Sequence, residues 1–319
     1  MTFSPHNYIT ISCPVRLSII GGSSDLSQYL QRHGKGSVIS FTPSLYTYVS
    51  VYRDVLGRNN LDRKYIVNYS EREEVDSIAN IRNELVRVCL AENSCVPCSV
   101  HMTSDVFSYG SGLAVSSSYT CSLMMAIHES MGKSISQFEC GIKSNALEKH
   151  INPLVGQQDV YGCCVGGLKK IEFSESKNPS YTFLPTNIFE AYDVYLLYTG
   201  LVRNSTEVLK TVVVPEEDVF NPMVEEAERY IMKEEYSSFM RLVRDGWDSK
   251  KRTSSSILQS SVLVEMDEWL SSLKGCVAHK LCGAGNGGFF MCFFEKGNDP
   301  TDSRFYKVNL SPHGVRRLI

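Results

Sequence analysis

Two periods of apolar spacing alternate along the chain and divide it into elements. Residues 9–20 are aliphatic and β-branched and read as strand. Residues 25–33 (DLSQYLQRH) carry apolar positions at helical spacing and end at Gly34, a left-handed stop. Residues 37–53 (SVISFTPSLYTYVSVYR) read as two consecutive strands broken near Pro43. Val75, Ile78, Leu85 and Val88 give residues 71–90 a helical period, and 99–103 reads as a strand. A small-residue loop beginning at 108 leads into an apolar helix that reaches 131, and helices follow over 136–150 and from 156 to 164.

The second half opens with strands at 168–173 and 191–198. Helices over 216–236, 237–251 and 257–273 precede two short apolar strands, 276–281 and 288–294, and a last strand follows a polar turn at 299–304. There is no internal repeat. The polar stretch 174–180 (SESKNPS) suggests a boundary between an N-terminal domain, residues 1–175, and a C-terminal domain, residues 176–319, with an α+β fold class on both sides.

Composition excludes several classes. The 319 residues are 43% hydrophobic and 21% charged, enough for one or two buried cores. With 32 basic and 35 acidic residues the net charge is −3, so no global basic field is available to hold nucleic acid or anionic lipid. No apolar run reaches the ~18 residues of a membrane span, and the N-terminal MTFSPHNYIT has neither the basic nor the apolar part of a signal peptide. A soluble cytoplasmic protein is expected, with no membrane or nucleic-acid partner. Its 11 cysteines, odd in number and scattered through apolar segments, read as free buried thiols. Cys95-Val-Pro-Cys98 has metal or redox spacing, but no second CxxC or HxxxH completes a zinc set, so it reads as a loop entering a strand.

Four segments could carry chemistry. Gly110-Ser-Gly112, followed by Ser116-Ser-Ser118 at a helix start, offers unhindered N–H groups to phosphate. It is not a Walker A loop, because no Gly-Lys-Ser/Thr follows, and a tight helix entry explains it equally well. Gly283-Ala-Gly285-Asn-Gly287-Gly288 lies between two apolar strands, where so many glycines point to a close backbone approach rather than a simple hairpin. Gly21-Gly-Ser-Ser-Asp25 follows a strand, with Asp25 either a helix cap or a ligand group. Gly156-Gln-Gln-Asp159, with Glu148 upstream, supplies a candidate base and a magnesium partner.

In this order the segments resemble the motifs of the GHMP kinases, the superfamily of galactokinase, homoserine kinase and mevalonate kinase. Pro14-Val-Arg16-Leu-Ser-Ile-Ile-Gly21 with Asp25 is similar to the first motif, Gly110-Ser-Gly-Leu113 with Ser116 to the second, and Lys280-Leu-Cys-Gly283-Ala-Gly-Asn-Gly-Gly288 to the third. Gly21-Gly-Ser-Ser-Asp25, Gln158-Asp159-Val-Tyr161, Gly166-Gly-Leu-Lys-Lys-Ile-Glu-Phe173, Tyr198-Thr-Gly-Leu-Val-Arg203 and Gly246-Trp247-Asp-Ser-Lys250 look like the heptose 7-phosphate kinase branch, much of which fucokinase-type sugar kinases share. The resemblance implies a two-domain GHMP kinase fold, with an N-terminal domain like the second domain of ribosomal protein S5 and a ferredoxin-like C-terminal domain. It implies ATP and Mg2+ as cofactors and a small-molecule sugar phosphate as substrate, phosphorylated at its anomeric hydroxyl by a monomer or homodimer.

The roles it implies are specific. Asp159 would polarise the sugar 1-hydroxyl, with Arg16 neutralising nearby charge. Gly110, Ser111, Gly112, Leu113, Ser116 and Ser117 would cradle the triphosphate, and Ser116 with Glu148 would hold magnesium. Gly22, Ser23 and Asp25 would bind sugar hydroxyls, while Gly283, Gly285, Gly287 and Gly288 would let the third motif close against the second loop and the substrate. Arg203, Lys250 and Lys251 are the candidate cations for a substrate phosphate, and a solvated helix face explains the two lysines as well. Trp247 reads as a packed helix residue. The phosphate loop departs from the family pattern: Ala114 stands where Gly is usual and Val115 where a small residue is usual, so weaker or absent activity is an alternative. Cys163, Cys164 and Cys282 adjoin the expected site, so thiol modification is expected to inhibit.

Overall fold

The computed structural model describes residues 8–53, 64–107, 110–202, 214–253 and 257–319. Three sheets organise them. β1 (Tyr8–Pro14), β4 (Tyr46–Tyr52), β5 (Tyr65–Asn68), β6 (Arg72–Val75), β7 (Ser99–Ser104) and β14 (Arg316–Arg317) form a six-stranded sheet in the order β14-β1-β4-β7-β5-β6. β2 (Leu17–Ile20), β3 (Lys35–Phe41), β8 (Leu168–Ser174) and β9 (Ser180–Phe183) form the second sheet, in that order. The third runs β11-β12-β10-β13, from β10 (Tyr192–Tyr198), β11 (Cys276–Leu281), β12 (Phe289–Glu295) and β13 (Phe305–Val308).

The helices are α1 (Ser27–His33), α2 (Glu84–Glu92), α3 (Val115–Ser130), α4 (Gln137–Ile151), α5 (Gln158–Cys164), α6 (Ile188–Ala191), α7 (Phe220–Met232), α8 (Tyr236–Thr253) and α9 (Ser261–Ser272). α3 packs on β1 and β4, and α2, α4 and α5 gather around it. The Ser136 hydroxyl and the Glu139 carboxylate cap α4 reciprocally. α1 ends at Gly34, whose φ of 74° is the left-handed stop expected there.

The C-terminal sheet is covered on both faces. Val194, Leu196, Met291 and Phe293 join a core containing Val15, Leu17, Leu113 and Val115 from the N-terminal half. Tyr195, Leu197, Phe290, Cys292 and Phe294 pack against Trp247, Leu263 and Leu270. This double burial is why β12 (FFMCFFE) is apolar without alternation.

Two expectations are corrected. Residues 71–90 are not one helix: Arg72–Val75 pairs with β5, and α2 starts only at Glu84, capped by the Asn83 side chain. Val75 and Ile78 keep a helix-like spacing because both lean on the same core from a hairpin and the turn after it. The polar stretch 174–180 is the turn of the β8–β9 hairpin rather than a domain link, since Glu172 pairs with Ser180. The N-terminal half also takes back the chain end, where Ile11 pairs with Arg317 and Val315 is buried in its core. Hairpin turns and linkers share a polar composition, so composition alone does not separate them.

Candidate active site

Arg16 occupies the corner between β1 and β2, and its backbone N–H donates to the Leu113 carbonyl at 3.1 Å. Its side chain is 3% exposed. Nε and Nη2 both donate to Asp159 Oδ1, at 2.9 and 2.6 Å, and Nη1 donates to the Gly112 carbonyl at 2.9 Å. One guanidinium therefore ties the candidate base to the candidate phosphate loop. Burial opposes its charge, and the Asp159 carboxylate beside it more than restores it. Asp159 itself stays 38% exposed at the start of α5, open to a small cavity of about 90 Å³.

That cavity is lined by polar side chains. Asp25 does not cap α1; Leu26 holds that position, without a side-chain bond. The Asp25 side chain points instead at α5, where Oδ2 accepts the Gln158 N–H at 2.9 Å. A Cβ on Gly156 would lie 1.9 Å from that oxygen, so glycine there makes the contact possible. Burial raises the Asp25 carboxyl to about 6, the Gln158 N–H offsets part of the rise, and the Asp159 charge adds to it. Asp25 Oδ1, Gln158 Oε1 and Ser18 Oγ are buried with no hydrogen-bond partner in the protein, and all three residues line the cavity. Buried acceptors of this kind are costly without a donor from a ligand or water. Gly22 and Ser23, the latter at φ 81°, also line it, as do Gly283 and the ammonium-bearing Lys250 and Lys280. Lys250 Nζ donates to the Gly283 carbonyl at 2.5 Å and Lys280 Nζ to the Ile19 carbonyl at 2.8 Å. Burial lowers the Lys280 ammonium to about 8.

The phosphate loop enters α3 through left-handed turns at Gly110 (φ 71°), Gly112 (φ 80°) and Ala114 (φ 61°). Ser111 and Leu113 are buried, and Ala114 caps α3 without a side-chain bond, so the first-turn N–H groups stay available to an anion. Ser116 is exposed on that turn and Ser117 is buried beneath it. Glu148 meets Thr120 Oγ1 at 3.0 Å and the Ser117 hydroxyl, and burial raises its carboxyl to about 8. From the third sheet, Gly288 leans on the loop: a Cβ there would stand 2.3 Å from the Ser111 carbonyl oxygen. Phe107 stacks on Phe289 at the same junction, with ring centroids 5.3 Å apart.

No protein-family model matches the chain. Over 309 residues it is 25% identical to the D-glycero-alpha-D-manno-heptose 7-phosphate kinase of Campylobacter jejuni, covering 90% of this chain and 89% of that protein. Among solved structures it superposes on a D-glycero-D-manno-heptose 1-phosphate kinase from Bacteroides thetaiotaomicron with a TM-score of 0.70, 17% identity and coverage of 98% and 99%. It also superposes on Lactococcus lactis galactokinase complexed with galactose, with a TM-score of 0.77, 15% identity and coverage of 98% and 96%. The chain has the fold of the GHMP kinases.

Within this fold the three motif-like segments converge, with differences from the expected roles. Gly285 and Gly287 do not face the cavity; a Cβ on either would meet Ile257 or the Leu201 backbone, so they serve the closeness of the loop to its neighbours. Lys251 turns away to Asp248 and Asp267, leaving Lys250 on the cavity side. Arg203 lies outside the described residues. The hydroxyls against Glu148 are those of Ser117 and Thr120 rather than Ser116. One carboxylate beside hydroxyls suits magnesium, which keeps most of its shell as water and substrate phosphate. Among the described residues no cluster of three His, Cys, Asp or Glu could hold a metal.

Sequence reasoning missed Ser18, Gln158 and Lys280 as cavity residues, although all three stand inside quoted motifs. Cys163, Cys164 and Cys282 are buried, and burial pushes the Cys163 and Cys164 thiols well up, so these are not the reactive thiols expected. Cys95 and Cys98 are buried ahead of β7, with burial raising them to about 11 and about 12. Trp247 is packed, as expected. No helix among the described residues is long and apolar enough to cross a membrane.

Proposed function

We propose that this chain transfers the γ-phosphoryl group of ATP to the anomeric hydroxyl of D-glycero-D-manno-heptose 7-phosphate, giving the 1,7-bisphosphate. The observation that carries the reading is the small cavity itself. Three unpaired buried acceptors line the same cavity as Asp159, and Arg16 joins Asp159 to the phosphate loop. Asp25, Gln158 and Ser18 would take donors from sugar hydroxyls. Asp159, which lines the cavity, would accept the hydrogen bond of the attacking hydroxyl and orient it, Arg16 holding the carboxylate through Oδ1. The first-turn N–H groups of α3 would hold the phosphates, with Gly288 backing the loop. Glu148 with the Ser117 hydroxyl beside it would hold a magnesium ion, which when bound neutralises charge on the β- and γ-phosphates. Lys250 and Lys280 would meet the sugar phosphate.

A second reading, an unphosphorylated hexose or 6-deoxyhexose 1-kinase, is favoured by 27% identity over 196 residues to the L-fucokinase/L-fucose-1-P guanylyltransferase of Bacteroides fragilis, covering 56% of this chain and 20% of that protein. ADP release on a panel of sugars with and without a terminal phosphate separates the two. Preference for the heptose 7-phosphate supports the first, and preference for a free sugar supports the second. ATP binding without turnover on any sugar leaves only a nucleotide-binding homologue.

A further inference from the structure

Ten of the eleven cysteines are buried, and Cys276 alone is partly exposed. It opens β11, where a bulge between Cys276 and Ala278 shifts the register against β12. Residues three apart on a regular strand face opposite sides of a sheet. Here Cys276 pairs with Phe294 and His279 with Cys292, two positions apart on β12, so the bulge puts Cys276, His279 and Cys292 on one face. That face is the one covered by Trp247 of α8 and by Leu263 and Leu270 of α9.

On it the polar groups form a chain. His279 Nε2 lies 2.8 Å from Asp267 Oδ1, which also accepts Trp247 Nε1–H at 2.6 Å, while Oδ2 accepts Lys251 Nζ at 2.8 Å. Burial opposes the Asp267 charge, yet these three donors hold its carboxyl down to about 2, a fixed anion that orients the imidazole. Polar interaction with Cys292 first, and with His279 as well, holds the Cys276 thiol down to about 6 against its burial. As a thiol it donates to the Ala278 carbonyl, 3.6 Å away. The group borders a polar cavity of about 110 Å³, separate from the sugar cavity and lined also by Arg244 and Lys251. At about 30 Å³ per water, such a space admits a molecule the size of hydrogen peroxide.

We propose that Cys276 is an oxidant-reactive site that takes a small hydroperoxide, with His279 as its proton partner and Cys292 as its resolving thiol. The Cys276 thiolate attacks one peroxide oxygen, an S–O bond forms and the O–O bond breaks. Sulfur loses two electrons to the peroxide, and the departing oxygen takes the proton held on His279, leaving as water or alcohol. Cys292 sulfur then attacks the sulfenic sulfur, the S–S bond forms, and the hydroxyl leaves as water with the Cys292 proton. The sum is two thiols and one hydroperoxide giving one disulfide, one water and one alcohol or second water. The proposal is independent of the kinase reading.

The test treats the reduced full-length protein with hydrogen peroxide, blocks the remaining thiols, and maps its tryptic peptides by mass spectrometry. The expected product joins peptide 275–280 to peptide 281–296 with the loss of two hydrogens, and dithiothreitol reverses it. In Cys292→Ser the disulfide disappears and dimedone labels Cys276. His279→Gln slows labelling roughly tenfold while the melting temperature holds. Should His279→Gln fail to fold, the Cys292→Ser labelling decides. Oxidation spread over other cysteines without preference, or a Cys276 that stays reduced in the folded protein, overturns the proposal.

Discussion

Replacing Gly288 with alanine probes the contact that joins the two halves of the site. Gly288 has φ +88°, and its Cβ would lie 2.3 Å from the Ser111 carbonyl oxygen, 2.8 Å from the Ser111 carbonyl carbon and 3.0 Å from the Gly110 oxygen. All three obstacles are backbone, so no rotamer change relieves them. Ordinary contact begins near 3.4 Å, so the phosphate loop must retreat by about 1 Å. The left-handed backbone costs alanine about 1–2 kcal/mol, and the overpacking adds about 1–3 kcal/mol. Gly297 supplies the control: its φ is +84° with nothing within 4 Å of a Cβ, so Gly297→Ala carries only the first cost. Denaturant unfolding should therefore place Gly288→Ala about 1–3 kcal/mol below Gly297→Ala. Sugar-dependent ADP release should fall about a hundredfold in Gly288→Ala, the usual effect of a 1 Å misplacement, and only a few-fold in the control. Equal stability and equal turnover in the two variants would refute the claim that Gly288 supports the phosphate loop.

Three further outcomes follow from particular side chains. With Asp25 raised to about 6 and Lys280 lowered to about 8, kcat/KM for the sugar phosphate should rise with pH as Asp25 ionises and fall as Lys280 loses its charge. Asp25→Asn should remove the step near pH 6 from the acid limb, and a flat profile in the wild type would contradict both assignments. Ala114 sits at φ 61°, ψ 37°, so Ala114→Gly should gain up to about 1 kcal/mol in thermal unfolding with turnover retained or improved; a loss of stability would show that its methyl packing outweighs the strain. Lys169 is fully buried, its Nζ 3.4 Å from the Gly167 carbonyl, and burial lowers its ammonium to about 7 from 10.5. The unfolded chain holds that proton up to about 10.5 and the folded chain only to about 7, so this group makes stability rise with pH across that window. Lys169→Met should stabilise the protein at pH 7 by at least about 1 kcal/mol and flatten the rise; unchanged or reduced unfolding stability would oppose the assignment.

The glycine loops were legible because their demands are local. Gly34, Gly110 and Gly112 take left-handed backbone where the sequence places a stop or a helix entry, and β12 declares its double burial in an unbroken apolar run. Asp25 was ambiguous because a cap and a ligand group have the same residue type, and only its contact with α5 decides between them. Ser18, Gln158 and Lys280 were opaque because three distant segments must meet before their isolation from protein partners or their burial appears. The chain of Cys276, His279 and Asp267 depends on a single bulge, which reverses the face that strict alternation assigns to Cys276. The hairpin over residues 72–75 was misread because two elements on one core imitated a helical period.

The most direct measurement follows the product by 31P NMR after incubation of the protein with ATP, magnesium and D-glycero-D-manno-heptose 7-phosphate. A new anomeric phosphate resonance beside the retained 7-phosphate, absent with Asp159→Asn, is the predicted result. Absence of any C1 phosphate from this sugar, or its undiminished formation by Asp159→Asn, would contradict the account.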